Sequence, residues 1–412
     1  MPLCIAFQDS PPKKIFSMVT KIMKTFQSPD FYHIDALLDS EELMVRQTIR
    51  NFVSSEVMPI ISDCFMKDEF PKSWIPLLGE LGVFGATIQG YECAGLNYTS
   101  YGLIMQELER GDSGLRSFVS VQGALCMYPI SQFGTEEQKQ KYLPLMAKGK
   151  LIGCFGLTEP DYGSNPNGMI TRADKDGDHY VLNGSKMWIT NGGISDLAIV
   201  WAKCPQEDNK IVGFIVDRDT PGFSVKDIHK KFSLRASVTS ELFFDSCRIP
   251  AKQKLQVKGM KGPFSCLNHA RYGISWGVIG AAMACYDEAL SYAKTRIQFD
   301  KPIASFQLVQ AKLVEMFTNI TKDQLLVLQL GRLKEKGQAI PQQISMAKMN
   351  NVSNALKTAR MARDILGASG ITHEYQCGRH MMNLESVNTY EGTEDIHRLI
   401  LGEFITGIPA YR

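Results

Sequence analysis

The chain has 412 residues, 45 Lys and Arg against 43 Asp and Glu, a net charge of +2 and 44% hydrophobic residues. That length allows about two or three domains with ample core. Near-neutral charge without a dense basic run argues against a nucleic-acid surface. Ten cysteines are scattered without a C-x-x-C pair or metal spacing, so they read as reduced thiols of an intracellular protein, and no metal site is expected.

In chain order, residues 1–38 are the least informative. Lys13, Lys14, Lys21 and Lys24 stand out and arginine is absent before residue 38, a weak transit-peptide pattern or a loose tail. Residues 39–150 read as an all-α domain. Glu41–Ser54, Ser73–Leu81 and Tyr101–Arg110 repeat apolar residues at three and four, and Thr135 with Gln138 forms a capped helix start. Residues 151–260 change to short strand patterns: Leu151–Leu157, His179–Leu182, Lys186–Thr190, Leu197–Ala202, Lys210–Val216 and Glu241–Phe244. Asn183-Gly184 and Asn191-Gly192 carry turn chemistry. This region is expected to be an antiparallel barrel or sandwich. Residues 261–412 return to the helical period over Gly273–Phe299, Ala304–Lys336, Pro341–Leu366 and Cys377–Val387, a four-helix bundle. The fold class is therefore α+β. The longest apolar run, Ile274–Cys285, is too short to span a bilayer, so no membrane insertion is expected.

Four stretches can carry chemistry. In Asn388–His397, Glu391 stands between Tyr390 and Gly392. Tyr390 can shield the carboxylate from water, which raises its pKa. Gly392 permits close approach to the backbone. Such a carboxylate suits a general base for a weakly acidic C–H; the alternative is a cap for the helix that follows. In Phe155–Ser164, backbone amides and Thr158 can bond a planar heterocycle or a phosphate, or the stretch is a plain hairpin loop. In Lys186–Thr190, Trp188 and Thr190 share one strand face, and Trp188 lies either on a ring or in the core. Arg116, in Asp112–Ser117, can grip a carboxylate or sit at the surface. There is no G-x-G-x-x-G, P-loop or nucleophile elbow, and no Cys or carboxylate joins His373 and His380 into a metal site.

These residues resemble the acyl-CoA dehydrogenase family, and within it the glutaryl-CoA branch, from about Asp39 to Tyr411. The resemblance is carried by Glu107-Leu-Glu-Arg110, Asp112-Ser-Gly-Leu-Arg-Ser117, Cys154-Phe-Gly-Leu-Thr-Glu-Pro160, Lys186-Met-Trp-Ile-Thr-Asn191, Lys231-Phe-Ser-Leu-Arg-Ala-Ser237, Ala270-Arg-Tyr-Gly-Ile274, Arg296-Ile-Gln-Phe299, Asp364-Ile-Leu-Gly367 and Asn388-Thr-Tyr-Glu-Gly-Thr393. It implies FAD held without a Rossmann domain, by Phe155, Leu157, Thr158, Gly163, Ser164, Trp188, Ile189, Thr190, Asp364, Leu366, Gly367, Thr393, Asp395 and Tyr411. Arg296, Phe299 and Gln307 would serve the FAD of a neighbouring subunit. It implies a thioester groove at Ser164, Phe264, Leu267, Asn268, Arg271 and Gly392. It implies that Glu391 removes the α-proton as a hydride leaves the β-carbon for flavin N5, with the Glu391 N–H as an oxyanion donor. Arg116, with Ser117 and Glu109, would hold the distal carboxylate of glutaryl-CoA, which decarboxylates to crotonyl-CoA and CO2 in lysine, hydroxylysine and tryptophan degradation. An electron-transfer flavoprotein as acceptor and a homotetramer are also implied. The compartment would be the cytoplasm in a bacterium or the mitochondrial matrix in a eukaryote. Tyr162, Asn165, His269 and Glu394 depart from the family pattern. The alternatives are a short-chain monocarboxylic acyl-CoA dehydrogenase, a non-decarboxylating relative, an oxidase and a flavin-free scaffold.

Overall fold

The computed structural model describes Phe26 and residues 28–410. Tyr411 and the N-terminal lysines expected to form a tail or targeting segment lie outside the described residues. The first helical region comprises α1 (Ser40–Phe52), α2 (Ile61–Lys67), α3 (Trp74–Glu80), α4 (Tyr98–Gly111), α5 (Ser113–Ser120), α6 (Tyr128–Phe133) and α7 (Glu136–Ala147). Capping boxes start α1 at Asp39/Glu42 and α7 at Thr135/Gln138, each satisfying two backbone donors at a helix start. Asp112 ends α4 in extended conformation and caps α5, accepting from Gly114 N, so one residue turns the chain between two buried helices.

The middle region has eight strands: β1 (Gly153–Gly156), β2 (Arg172–Asp176), β3 (His179–Thr190), β4 (Leu197–Cys204), β5 (Lys210–Asp217), β6 (Phe223–Asp227), β7 (Thr239–Pro250) and β8 (Lys254–Lys258). Their order is β6-β7-β3-β2-β4-β5-β8, with β1 paired to β4. The sheet is mixed rather than wholly antiparallel, because β4 pairs in parallel with both β1 and β2. Asn183-Gly184 does not end a strand: the two predicted segments are one strand, β3, and its register against β7 shifts at this point. Gly184 takes φ +143° there, and a Cβ would lie 2.5 Å from Thr171 Oγ1. Strand β2 escapes the sequence pattern because only Ala173 of Arg172–Asp176 is buried.

The last region holds α8 (Lys261–Thr295), a hairpin of β9 (Ile297–Gln298) and β10 (Lys301–Pro302), then α9 (Gln307–Glu335), α10 (Pro341–Ile365), α11 (Cys377–Thr389) and α12 (Glu394–Thr406). Helix α8 starts at Lys261 rather than at Gly273; Pro263 lies in its first turn, where a missing N–H costs nothing. Four long helices form the bundle, and α12 packs on α10 as a fifth. Helix α8 is central, packing on α4, α9 and α10. It approaches α4 so closely that a Cβ on Gly280 would lie 1.8 Å from Gln106 O. This contact sets the spacing between α4 and α8, the two walls of the site below.

Candidate active site

The turn between α11 and α12 presents Glu391. Thr393, not Glu391, caps α12, with its hydroxyl accepting from Ile396 N. The carboxylate is therefore not consumed in capping. Glu391 has φ +53° and Gly392 φ +94°, so two successive residues sit in left-handed backbone. Two buried cations hold this turn: Arg271 Nε donates to Glu391 O at 2.7 Å, and Lys348 Nζ donates to Gly392 O at 2.8 Å. The Glu391 residue keeps some exposure, but its Oε2 is buried without a hydrogen-bond partner. Burial pushes its pKa up to about 7, opposed by the charges of Arg116, Arg271 and Lys348. Gly392 is required from within: a Cβ would lie 2.9 Å from His397 Nε2 and 3.3 Å from an Arg271 nitrogen. That internal crowding, together with the φ angle, excludes other residues before any ligand is considered.

Arg116 lies inside α5 and is 1% exposed, which removes the surface reading. Its Nε donates to Glu109 Oε2 at 2.7 Å, and a second N–H donates to the Tyr390 hydroxyl. The guanidinium sits 5.6 Å from the Tyr390 ring centroid, and Ser117 Oγ is 3.3 Å from Tyr390 Oη. Gly277 of α8 makes room for the ion pair, since a Cβ there would lie 2.2 Å from Glu109 Oε2. Glu109 Oε1 is buried without a partner. Tyr390 thus tethers the arginine to the turn carrying Glu391, beyond the shielding expected of it. Asp112 fixes the same geometry from behind, bonded to Arg379 and, at 2.9 Å, to Asn383 of α11. Arg116 is thus neutralised within the fold, by Glu109.

Further groups surround these; Tyr101 went unseen in the sequence, and His269 was read there only as a departure from the family pattern. Tyr101 is buried with its hydroxyl unpartnered, 2.9 Å from where a Cβ on Gly273 would stand. His269 is stacked between Tyr101 and Tyr128, at 5.3 and 4.8 Å between ring centroids. Burial pushes the His269 pKa down to about 3, so it is neutral. Lys348 did leave a signal. It falls in the stripe Ile344, Ala347, Lys348, Asn351, Val352, Ala355 that α10 buries, a helical core period in which a lysine is out of place.

The expected flavin-facing segments come together in the β-region. Trp188 is 58% exposed at φ +64°, in a register shift of β3 that breaks the shared face with Thr190. Ile189 is buried, Thr190 half-buried, and Met187 N donates to Thr158 O at 2.9 Å. Phe155 and Leu157 are buried, Phe155 against Trp201, so only their backbone is on offer. Lys186 and Glu159 pair beneath this loop at 2.8 Å. Gly163 and Ser164 are exposed. In the expected thioester groove Phe264 is exposed, Leu267 and Asn268 are half-buried and Arg271 is buried. Arg296, Phe299 and Gln307 lie exposed about the β9–β10 hairpin, with no described contact to Glu391. Asp364 is exposed and paired with Lys312, Leu366 is buried, Gly367 is exposed, and exposed Asp395 pairs with Arg398 at 3.2 Å. Among the described residues no group of three His, Cys, Asp or Glu is placed to hold a metal.

Residues 39–150, 154–247 and 258–406 match the family models "Acyl-CoA dehydrogenase, N-terminal domain", "middle domain" and "C-terminal domain". The chain belongs to the acyl-CoA dehydrogenase family. Two structures of glutaryl-CoA dehydrogenase from Mycobacterium smegmatis are similar to this acyl-CoA dehydrogenase. One is 51% identical with TM-score 0.90, over 92% of this chain and 98% of that one. The other, in complex with FADH2, is 49% identical with TM-score 0.92, over 94% and 100%. An acyl-CoA dehydrogenase of Bacillus subtilis is 36% identical over 89% of this chain and 98% of its own. The mitochondrial short-chain specific acyl-CoA dehydrogenase of Rattus norvegicus is 32% identical over 92% and 94%.

Proposed function

We propose that this acyl-CoA dehydrogenase oxidises and decarboxylates glutaryl-CoA to crotonyl-CoA and CO2. The observation that carries the reading is one site joining a dry carboxylate, Glu391, to a buried arginine, Arg116, through Tyr390. The cofactor is FAD, as family membership and the FADH2-bound relative support. The residues present fit it: Trp188 is a bulky side chain held exposed in left-handed backbone, a strained arrangement that typically marks a ligand-facing position. Thr158, Gly163, Ser164 and Thr190 lie on the same β-region segments and offer hydroxyl and backbone groups. Bound FAD supplies the acceptor for the hydride from the β-carbon.

The chain's own residues do the rest. Glu391 takes the α-proton, and its raised pKa makes it a stronger base than a solvated carboxylate. Arg271 and Lys348 fix the 391–392 carbonyls, which holds in place the turn that carries the Glu391 N–H. An N–H aimed at the thioester oxygen as enolate charge develops is worth about 3–4 kcal/mol. A guanidinium carries five N–H donors, of which Glu109 and Tyr390 take two. The others are available to a distal carboxylate. After oxidation, loss of CO2 leaves a dienolate conjugated to the thioester, and the proton on Glu391 returns to the γ-carbon. Electrons then pass to an electron-transfer flavoprotein. Exposed Phe299 and Leu308 support a homotetramer in which Arg296 and Gln307 face a second copy.

A second reading, a short-chain monocarboxylic acyl-CoA dehydrogenase, is favoured by one observation: Glu109 already neutralises Arg116, so no substrate carboxylate is demanded. Anaerobic mixing with glutaryl-CoA tests both. The expected result is flavin bleaching with one CO2 per thioester. Bleaching without CO2 refutes decarboxylation, and no bleaching with glutaryl-CoA but bleaching with butyryl-CoA establishes the second reading.

A further inference from the structure

Lys348 lies in α10, has no exposed surface and carries no partner carboxylate within ion-pair distance among the described residues. A buried ammonium costs several kcal/mol unless something compensates it. Its hydrogen bond goes to Gly392 O at 2.8 Å, the carbonyl next to that held by Arg271. We propose that Lys348 is a positioning residue for Glu391: its ammonium pins the Gly392 carbonyl of a left-handed turn and sets a positive charge behind the base. This rests on Glu391 being the base.

The geometry requires both parts of that role. Left-handed backbone is unfavourable for a residue with a side chain, and Glu391 adopts it. Two carbonyls clamped by two cations hold the turn in place. The charge part follows from the neighbourhood. Around Glu391 stand Tyr101 of α4, Arg116 of α5, Cys266 and Arg271 of α8, Lys348 of α10, and Glu394 and His397 of α12. Arg116 is neutralised by Glu109, and Arg271 points its Nε at a carbonyl. His397 is neutral, its pKa pushed by burial down to about 3. Lys348 is the group in this set whose charge can change near neutrality, since burial pushes its pKa down to about 7 while Glu391 opposes that shift. Removing its charge removes an attraction that favours the ionised carboxylate, so Glu391 holds its proton to higher pH.

The test is the pH dependence of flavin reduction by glutaryl-CoA, and of deuterium exchange at the α-carbon of a thioester that cannot be oxidised. Lys348→Met should retain FAD and thioester binding while the acid limb of both profiles moves up by about one pH unit or more. At pH 6.5 and below the rate should fall about tenfold or more. Lys348→Gln, which keeps an N–H for Gly392 O but no charge, should show the same shift with a smaller loss of the plateau rate. An acid limb that does not move in either variant overturns the proposal. So does failure of both variants to fold, which would make Lys348 a structural lysine. Glu391→Gln is run beside them: if it still exchanges the α-proton, the base assignment itself fails, independently of Lys348.

Discussion

Glu391 and Arg116 occupy one site, and each is defined by what surrounds it. A carboxylate with a pKa near 7 is protonated, and inactive as a base, over more of the acid range than an ordinary glutamate. The rate of flavin reduction should therefore rise about tenfold per pH unit below 7 and level off above it. A limb centred near 4.5 would contradict the dry environment. Glu391→Gln keeps the side-chain volume and should retain FAD and thioester binding while turnover falls by about four orders of magnitude; turnover within tenfold of the parent refutes the base. Arg116→Ala leaves Glu109 buried without its cation, a loss of about 3–5 kcal/mol for a broken buried pair. Its diagnostic effect is on substrate choice: kcat/KM for glutaryl-CoA should fall far more than for butyryl-CoA. Equal losses count against a carboxylate clamp. Glu391 was singled out in the sequence by its place between Tyr390 and Gly392, a pattern that left a helix cap open until Thr393 was seen to cap α12. The Glu109 partnership at this distance was not, because nothing local says that α4 and α5 turn those side chains toward each other.

Helices α9 and α10 meet over another buried carboxylate, which gives a prediction independent of catalysis. Asp323 accepts from Asn350 and Asn354 at 2.8 Å each, and burial pushes its pKa up to about 7. A raised native pKa means the native state holds the proton more tightly than the unfolded chain. That contribution to stability is present at low pH and lost as pH rises through about 7. Both asparagines donate to Oδ1, so Asp323→Asn keeps their acceptor and removes the charge. Its Tm should exceed the parent's by a few degrees at pH 8, with little difference at pH 4; equal Tm differences at both pH values would show that Asp323 is solvated. The helix periods of α9 and α10 were legible because their buried faces repeat at three and four. The start of α8 was not, because Pro263 and polar neighbours mask the first turns. Strands β2, β6 and β8 were missed because their exposed charges hide the alternation, and the parallel pairing of β4 depends on long crossovers that no turn signal records.

For the whole molecule, Phe404, Ile405 and Ile408 of the C-terminal end are 58%, 75% and 69% exposed, an apolar surface large for a chain that works alone. Light scattering should give the mass of four chains of 46.0 kDa, and Ile405→Asp should lower it; a monomer in both cases refutes the tetramer. Among the described residues no helix is long and apolar enough to cross a membrane. Composition and periodicity were enough for the helix–strand–helix succession, because hydrophobic spacing is a local property that the backbone period imposes on each segment. The short motifs were enough to single out Glu391 and Arg116, the proposed base and its arginine. The contacts that make these residues a site lie 44, 120 and 274 positions apart in the chain: Lys348 on Gly392, Arg271 on Glu391, Tyr390 on Arg116. Packing α5, α8, α10 and α11 around one turn brings them together, and with that burial the charge states of Glu391 and Lys348 move toward neutrality, since desolvation is a property of the assembled core and of no single segment.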